Sequence, residues 1–111
     1  MRLKKISSKI ITLCGSQKFV KEIQEMEAKL TLEGNIVFSL GVFAKTSDEE
    51  GKPDCRIISK EQWDNVEKVH LQKILLSNAI FVTNVDGYIG DATRDEIEFA
   101  KSHGKEIMYL E

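Results

Sequence analysis

Two spacings of apolar residues alternate along the chain. Lys9-Ile10-Ile11-Thr12-Leu13-Cys14 is β-branched and nearly continuous in apolarity until Gly15 stops it, the pattern of a strand buried on both faces. Between residues 18 and 33, Phe19, Ile23, Met26 and Leu30 fall at i, i+4, i+7 and i+11, one face of a helix. Gly34 follows where a C-terminal cap belongs. Asn35 to Gly41, carrying Ile36-Val37-Phe38-Ser39-Leu40, predicts a second short strand. Ser59 with Gln62 three residues on is a capping-box signature for a second helix carrying Trp63, Val66, Val69, Leu71 and Ile74. Residues 79–83 predict a third strand. Thr93 with Glu96 predicts another capping box, opening a helix with Ile97, Ala100 and His103 that closes at Gly104. Residues 106–110 predict the last strand.

The order βαβ, loop, αβαβ points to a parallel sheet sandwiched by helices. Residues 44–56 hold Asp48-Glu49-Glu50-Gly51-Lys52-Pro53-Asp54, with the sole proline, and read as a long polar loop of the kind that forms lids or dimer contacts. At 111 residues the chain fits one domain spanning 1–111, and 41% hydrophobic with 31% charged residues is a globular balance. A folded chain this short buries only about 60–70% of its unfolded surface, so oligomerisation is a reasonable remedy. Lys+Arg 16 against Asp+Glu 18 leaves a net charge of -2, which gives no field for nucleic acid. The two cysteines, Cys14 and Cys55, are too few for a disulfide framework. The apolar run after the basic start is too short for a signal peptide or membrane span, so a cytoplasmic location is expected, with no membrane partner.

Ligands of open α/β sheets sit beyond the carboxyl ends of the strands. Three glycine-bearing segments converge there: Cys14-Gly15-Ser16-Gln17-Lys18, Ser39-Leu40-Gly41, and the stretch from Thr83 and Asn84 through Asp86, Gly87, Tyr88 and Gly90. The first leads into a helix N-terminus, where free N–H groups and Lys18 suit a phosphate, although Ser16 could equally be a plain cap. No Walker A or G-x-G-x-x-G pattern occurs. His70, His103, Cys14 and Cys55 lack metal-ligand spacing, so no metal and no cofactor are expected. His70 reads as a packed, hydrogen-bonded residue, His103 as a partner of the helix dipole, Trp63 as core and Cys14 as a buried, inert thiol.

Residues 11–19, 77–82, 87–100 and 104–107 resemble the nucleoside 2-deoxyribosyltransferase-like superfamily across nearly the whole chain outside the 44–58 loop. The most specific part is Gly87-Tyr88-Ile89-Gly90-Asp91-Ala92-Thr93-Arg94-Asp95-Glu96-Ile97-Glu98-Phe99-Ala100, where the family places a nucleophilic glutamate; the match puts it at Glu96, not Glu98. The resemblance implies a flavodoxin-like (Rossmann-like) three-layer sandwich with a small parallel sheet of four to five strands. It implies cleavage or exchange at the N-glycosidic bond of a nucleoside or nucleoside 5′-monophosphate, as a transferase or an N-glycosidase. The carboxylate attacks C1′ of the sugar while an acid protonates the departing base.

By the same resemblance, the phosphate turn Gly-Ser-x-Arg reads here Gly15-Ser16-Gln17-Lys18, which keeps the charge and loses the bidentate fork. Gly41, Asn84, Gly87, Tyr88, Gly90 and Thr93 complete the candidate ligand-binding set. The helix before the third strand has Gln72, Leu75 and Asn78 where relatives carry acidic residues, and no carboxylate after Glu67. The general acid is therefore open among Asp86, Asp91 and Asp95. The family's sites are completed by a neighbouring subunit, which implies a homodimer or larger homo-oligomer. Three other readings stand beside catalysis: Glu96 as a mere capping-box partner of Thr93, the domain as a nucleotide sensor that turns nothing over, and an interaction domain with no small-molecule site, which would leave the strand-end glycines Gly15, Gly41, Gly87 and Gly90 as coincidence.

Overall fold

The computed structural model describes residues 8–40 and 57–111. The elements are β1 (Ile10–Cys14), α1 (Val20–Leu32), β2 (Ile36–Phe38), α2 (Lys60–Leu76), β3 (Ala79–Val82), α3 (Asp91–Ser102) and β4 (Glu106–Tyr109). All strand pairs are parallel, in the order β2-β1-β3-β4. This is the flavodoxin-like α/β arrangement, with helices on both faces of the sheet. The loop predicted over 44–56, together with Gly41 and Cys55, lies outside the described residues.

Period-two alternation sorts the strand residues between two cores. Ile11, Leu13, Ala79 and Phe81 face α1 and pack on Ile23, Met26 and Leu30, the stripe that the helical spacing predicts. Cys14, Ile80 and Val82 face the other way, onto Ile74 of α2 and Ile97 and Ala100 of α3. Ile74 and Ile80 are wholly buried, and each such side chain contributes about 1.5–3 kcal/mol relative to leaving it in water. Thr12 interrupts the apolar run of β1 without penalty. Its hydroxyl pairs with Ser77 Oγ, which itself donates to the Lys73 carbonyl.

Helix boundaries bring one confirmation, one adjustment and one correction. The Ser59–Gln62 capping box is present in both directions, at 3.0 and 3.1 Å. The first helical stretch begins as a tight 3-10 turn over Gln17–Phe19, capped by Ser16, before α1 proper. The second predicted box, Thr93 with Glu96, does not form. An extended Gly90 is the N-cap of α3, and Arg94 N–H already donates to its carbonyl at 2.9 Å. The helix thus starts at Asp91, leaving Thr93 buried in its first turn and Glu96 midway along it. Glu96 has no capping duty.

Candidate functional site

At the carboxyl ends of β1 and β3 lies a crevice of ≈ 580 Å³, a size suited to a small organic ligand. The turn after β1 supplies Gly15, Ser16 and Gln17. The segment after β3 supplies Tyr88, Ile89 and Gly90, and α3 adds Asp91, Ala92, Thr93 and Glu96. Leu40 and, from α2, Trp63 and Glu67 close the far side.

Gly15 lets the end of β1 press against the end of β3. Its φ is +154°, and a Cβ there would collide with Thr83 Oγ1. That hydroxyl donates to the Cys14 carbonyl at 3.0 Å, as does the Thr83 N–H at 2.9 Å. The next residue but one, Gln17, is buried, and its Oε1 has no hydrogen-bond partner. An unmade bond at a buried amide oxygen costs roughly 1–3 kcal/mol, so it marks an acceptor that a ligand's N–H or O–H can satisfy. Tertiary burial is what makes Gln17 notable, and no sequence signal singles it out.

Glu96 reaches the crevice from α3 with its side chain 18% exposed. Beneath it, Oε1 lies 3.4 Å from His70 Nε2, and that same nitrogen is 3.6 Å from Cys14 Sγ. Burial, reinforced by the negative charge of Glu96 and a hydrogen bond to it, pushes the Cys14 thiol well above its usual range. Cys14 therefore stays a neutral S–H donor toward the carboxylate. His70 is buried, as the spacing predicts, but its Nδ1 is unpartnered.

The opposite wall comes from α2. Trp63, expected in the core, is only half-buried and faces the crevice, and its Nε1–H donates to Glu67 Oε1 at 3.1 Å. Glu67 from α2 thus borders the same cavity as Asp91 and Glu96 from α3. Trp63, Glu67, His70 and Ile74 stand at i, i+4, i+7 and i+11, a single stripe of α2. That spacing was readable in advance.

Several sequence candidates take other places. Lys18 is not among the lining residues; its Nζ sits 3.6 Å from the Tyr88 ring centroid, a cation–π contact, with Phe19 edge-on to the same ring at 5.8 Å. Asn84 clamps the chain end, donating to the Glu111 carbonyl and accepting from its N–H, both at 3.0 Å. Asp86 adopts φ 54° with Gly87 at φ 77° in a tight turn, and the Asp86 N–H donates to the Glu111 carboxylate. Asp91 lines the crevice with a fully exposed side chain 3.7 Å from Arg94, while Asp95 is exposed and lies outside the lining. The N-terminus of α3 has no side-chain cap hydrogen bond from Gly90 and borders the crevice.

The fold has a counterpart among solved structures. A 2-deoxyribosyltransferase from the psychrotolerant bacterium Bacillus psychrosaccharolyticus superposes with a TM-score of 0.65 over 90% of this chain and 70% of that one, at 23% identity. The likeness establishes a nucleoside 2-deoxyribosyltransferase-like fold. No family model and no curated protein matches the chain. Among the described residues, no helix is long and apolar enough to cross a membrane.

Proposed function

We propose that the domain binds a nucleoside or nucleoside 5′-monophosphate and breaks or exchanges its N-glycosidic bond through Glu96. The carrying observation is a carboxylate free of capping duty that enters a strand-end crevice and is held from beneath by His70. Likeness of fold to a 2-deoxyribosyltransferase supports the same reading. One oxygen of Glu96 bonds to C1′ as the bond from C1′ to the base breaks, and the base leaves with that electron pair and takes up a proton. A second base, or water, then attacks C1′ and frees Glu96.

Our candidate for the proton donor is Glu67: it borders the same crevice, Asp86 and Asp95 do not, and Asp91, which does, is fully exposed beside Arg94. Trp63 offers an indole face for the base, and the bare Gln17 Oε1 can accept a hydrogen bond from it or from the sugar. The 5′-phosphate goes to the amide groups near Ser16 or to the uncapped start of α3. A homo-oligomer and a cytoplasmic location belong to the same proposal.

A panel of nucleosides and 5′-monophosphates, assayed for free base and for base exchange, tests it. Release from at least one substrate is expected. Ligand binding without release across the panel would favour the sensor reading, to which the absence of a carboxylate between Gln72 and Asn78 also lends weight.

A further inference from the structure

Cys14 closes β1, His70 sits midway along α2 and Glu96 midway along α3, so three elements deliver one donor group each to one point. The three ligand atoms all lie within 4.8 Å of one another. A cysteine–histidine–acid relay needs its two partners on opposite ring nitrogens. Here sulfur and carboxylate both approach Nε2, at 3.6 and 3.4 Å, while Nδ1 is buried and unpartnered. The arrangement is a triangle, not a chain.

The two edges that meet at Nε2 have a chemical match. With Zn–S about 2.3 Å and Zn–N or Zn–O about 2.0–2.1 Å, donor atoms around a tetrahedral ion stand roughly 3.3–3.6 Å apart. We propose that Cys14, His70 and Glu96 bind a Zn²⁺-class divalent ion, and that its occupancy withdraws Glu96 from glycosyl transfer. Thiolate and imidazole select zinc, cobalt or nickel over magnesium and calcium. Glu96 borders the crevice, so the fourth position opens toward it and takes water or a ligand atom. On binding, the thiol proton passes to solvent, and Sγ, Nε2 and one Glu96 oxygen each donate an electron pair to the ion. Nothing is oxidised or reduced.

Metal-bound histidines usually donate their other N–H to a partner, and losing such a partner weakens affinity about 10–100-fold. Nδ1 has none, which fits a reversible ion rather than a structural one. The binding claim stands apart from the proposed reaction; only the silencing rests on it.

Co²⁺ is the probe. Titrated into the reduced protein, it should produce a thiolate-to-cobalt absorption band in the near ultraviolet that Zn²⁺ displaces and Mg²⁺ does not. Cys14→Ser should abolish the band, His70→Gln should weaken binding at least tenfold, and Cys55→Ser should change neither. Zn²⁺ should also raise the melting midpoint of the unmodified protein, a readout that needs no variant. No band at millimolar Co²⁺, a band surviving in Cys14→Ser, or one lost in Cys55→Ser would overturn the site. Where base release is measurable, Zn²⁺ should suppress it and a chelator restore it; release unaffected by saturating Zn²⁺ would overturn the silencing. Absence of base release from metal-free protein bears on the glycosyl reading alone and leaves the cobalt result standing.

Discussion

Gly15 is where one missing methyl group decides how the crevice is built. A Cβ at this position would displace Thr83 Oγ1 from its bond to the Cys14 carbonyl and pry apart the ends of β1 and β3. Gly15→Ala should therefore destabilise by about 1–3 kcal/mol, the scale of an overpacked site. At about 4–8 °C per kcal/mol for a domain near this size, the drop in melting midpoint is easily read. An unchanged midpoint would mean the two strand ends are not held together as described. A glycine at a strand end was legible as a turn, because the residue type itself carries the conformational information. The bare Gln17 Oε1 was not legible, nor was the meeting of Cys14, His70 and Glu96. Those depend on which atoms burial brings together across 26 to 82 positions of sequence separation, and spacing along the chain is blind to that.

Among the elements, α2 carries the most consequence. Its stripe of Trp63, Glu67, His70 and Ile74 runs from the crevice down into the core, so one helix supplies an aromatic wall, a carboxylate and the partner of Glu96. By sequence the general acid is expected toward the end of this helix, around residues 72–78, or among the aspartates near Glu96. Helical phase relative to His70 would have pointed one turn earlier, to Glu67. Glu67→Gln should lower base release about 10²–10⁴-fold, the usual contribution of a general acid. It should spare a substrate whose electron-poor base leaves without protonation. Equal loss on both substrates, or no loss on either, would remove Glu67 from the role. The start of α3 teaches the opposite lesson. Thr93 and Glu96 have a capping-box spacing, yet the chain enters the helix at Gly90, because a local motif yields when backbone geometry after β3 sets the start earlier. That shift frees Glu96 for the crevice.

At the scale of the whole molecule, the parallel order β2-β1-β3-β4 was legible in the alternation of apolar runs and helical stripes, since each pattern reports which faces are buried. Assembly is another matter. Val69 and Leu76 lie seven residues apart on a face of α2 turned away from the crevice stripe, 48% and 67% exposed. On the proposed reading the chain forms a homodimer or larger, and light scattering at micromolar concentration should return at least twice the single-chain mass of 12.6 kDa. A single-chain mass would contradict it. The central claim, that Glu96 is the group that bonds to the sugar, has a sharper test in base release by the unmodified protein, Glu96→Gln and Glu98→Gln, with thermal melts of all three. Glu98 is exposed, outside the crevice lining, and 3.9 Å from Lys101, so its replacement should leave activity intact. Glu96→Gln should keep the fold and ligand binding while losing turnover, because an amide oxygen cannot form the glycosyl ester. Full activity in Glu96→Gln would contradict the account.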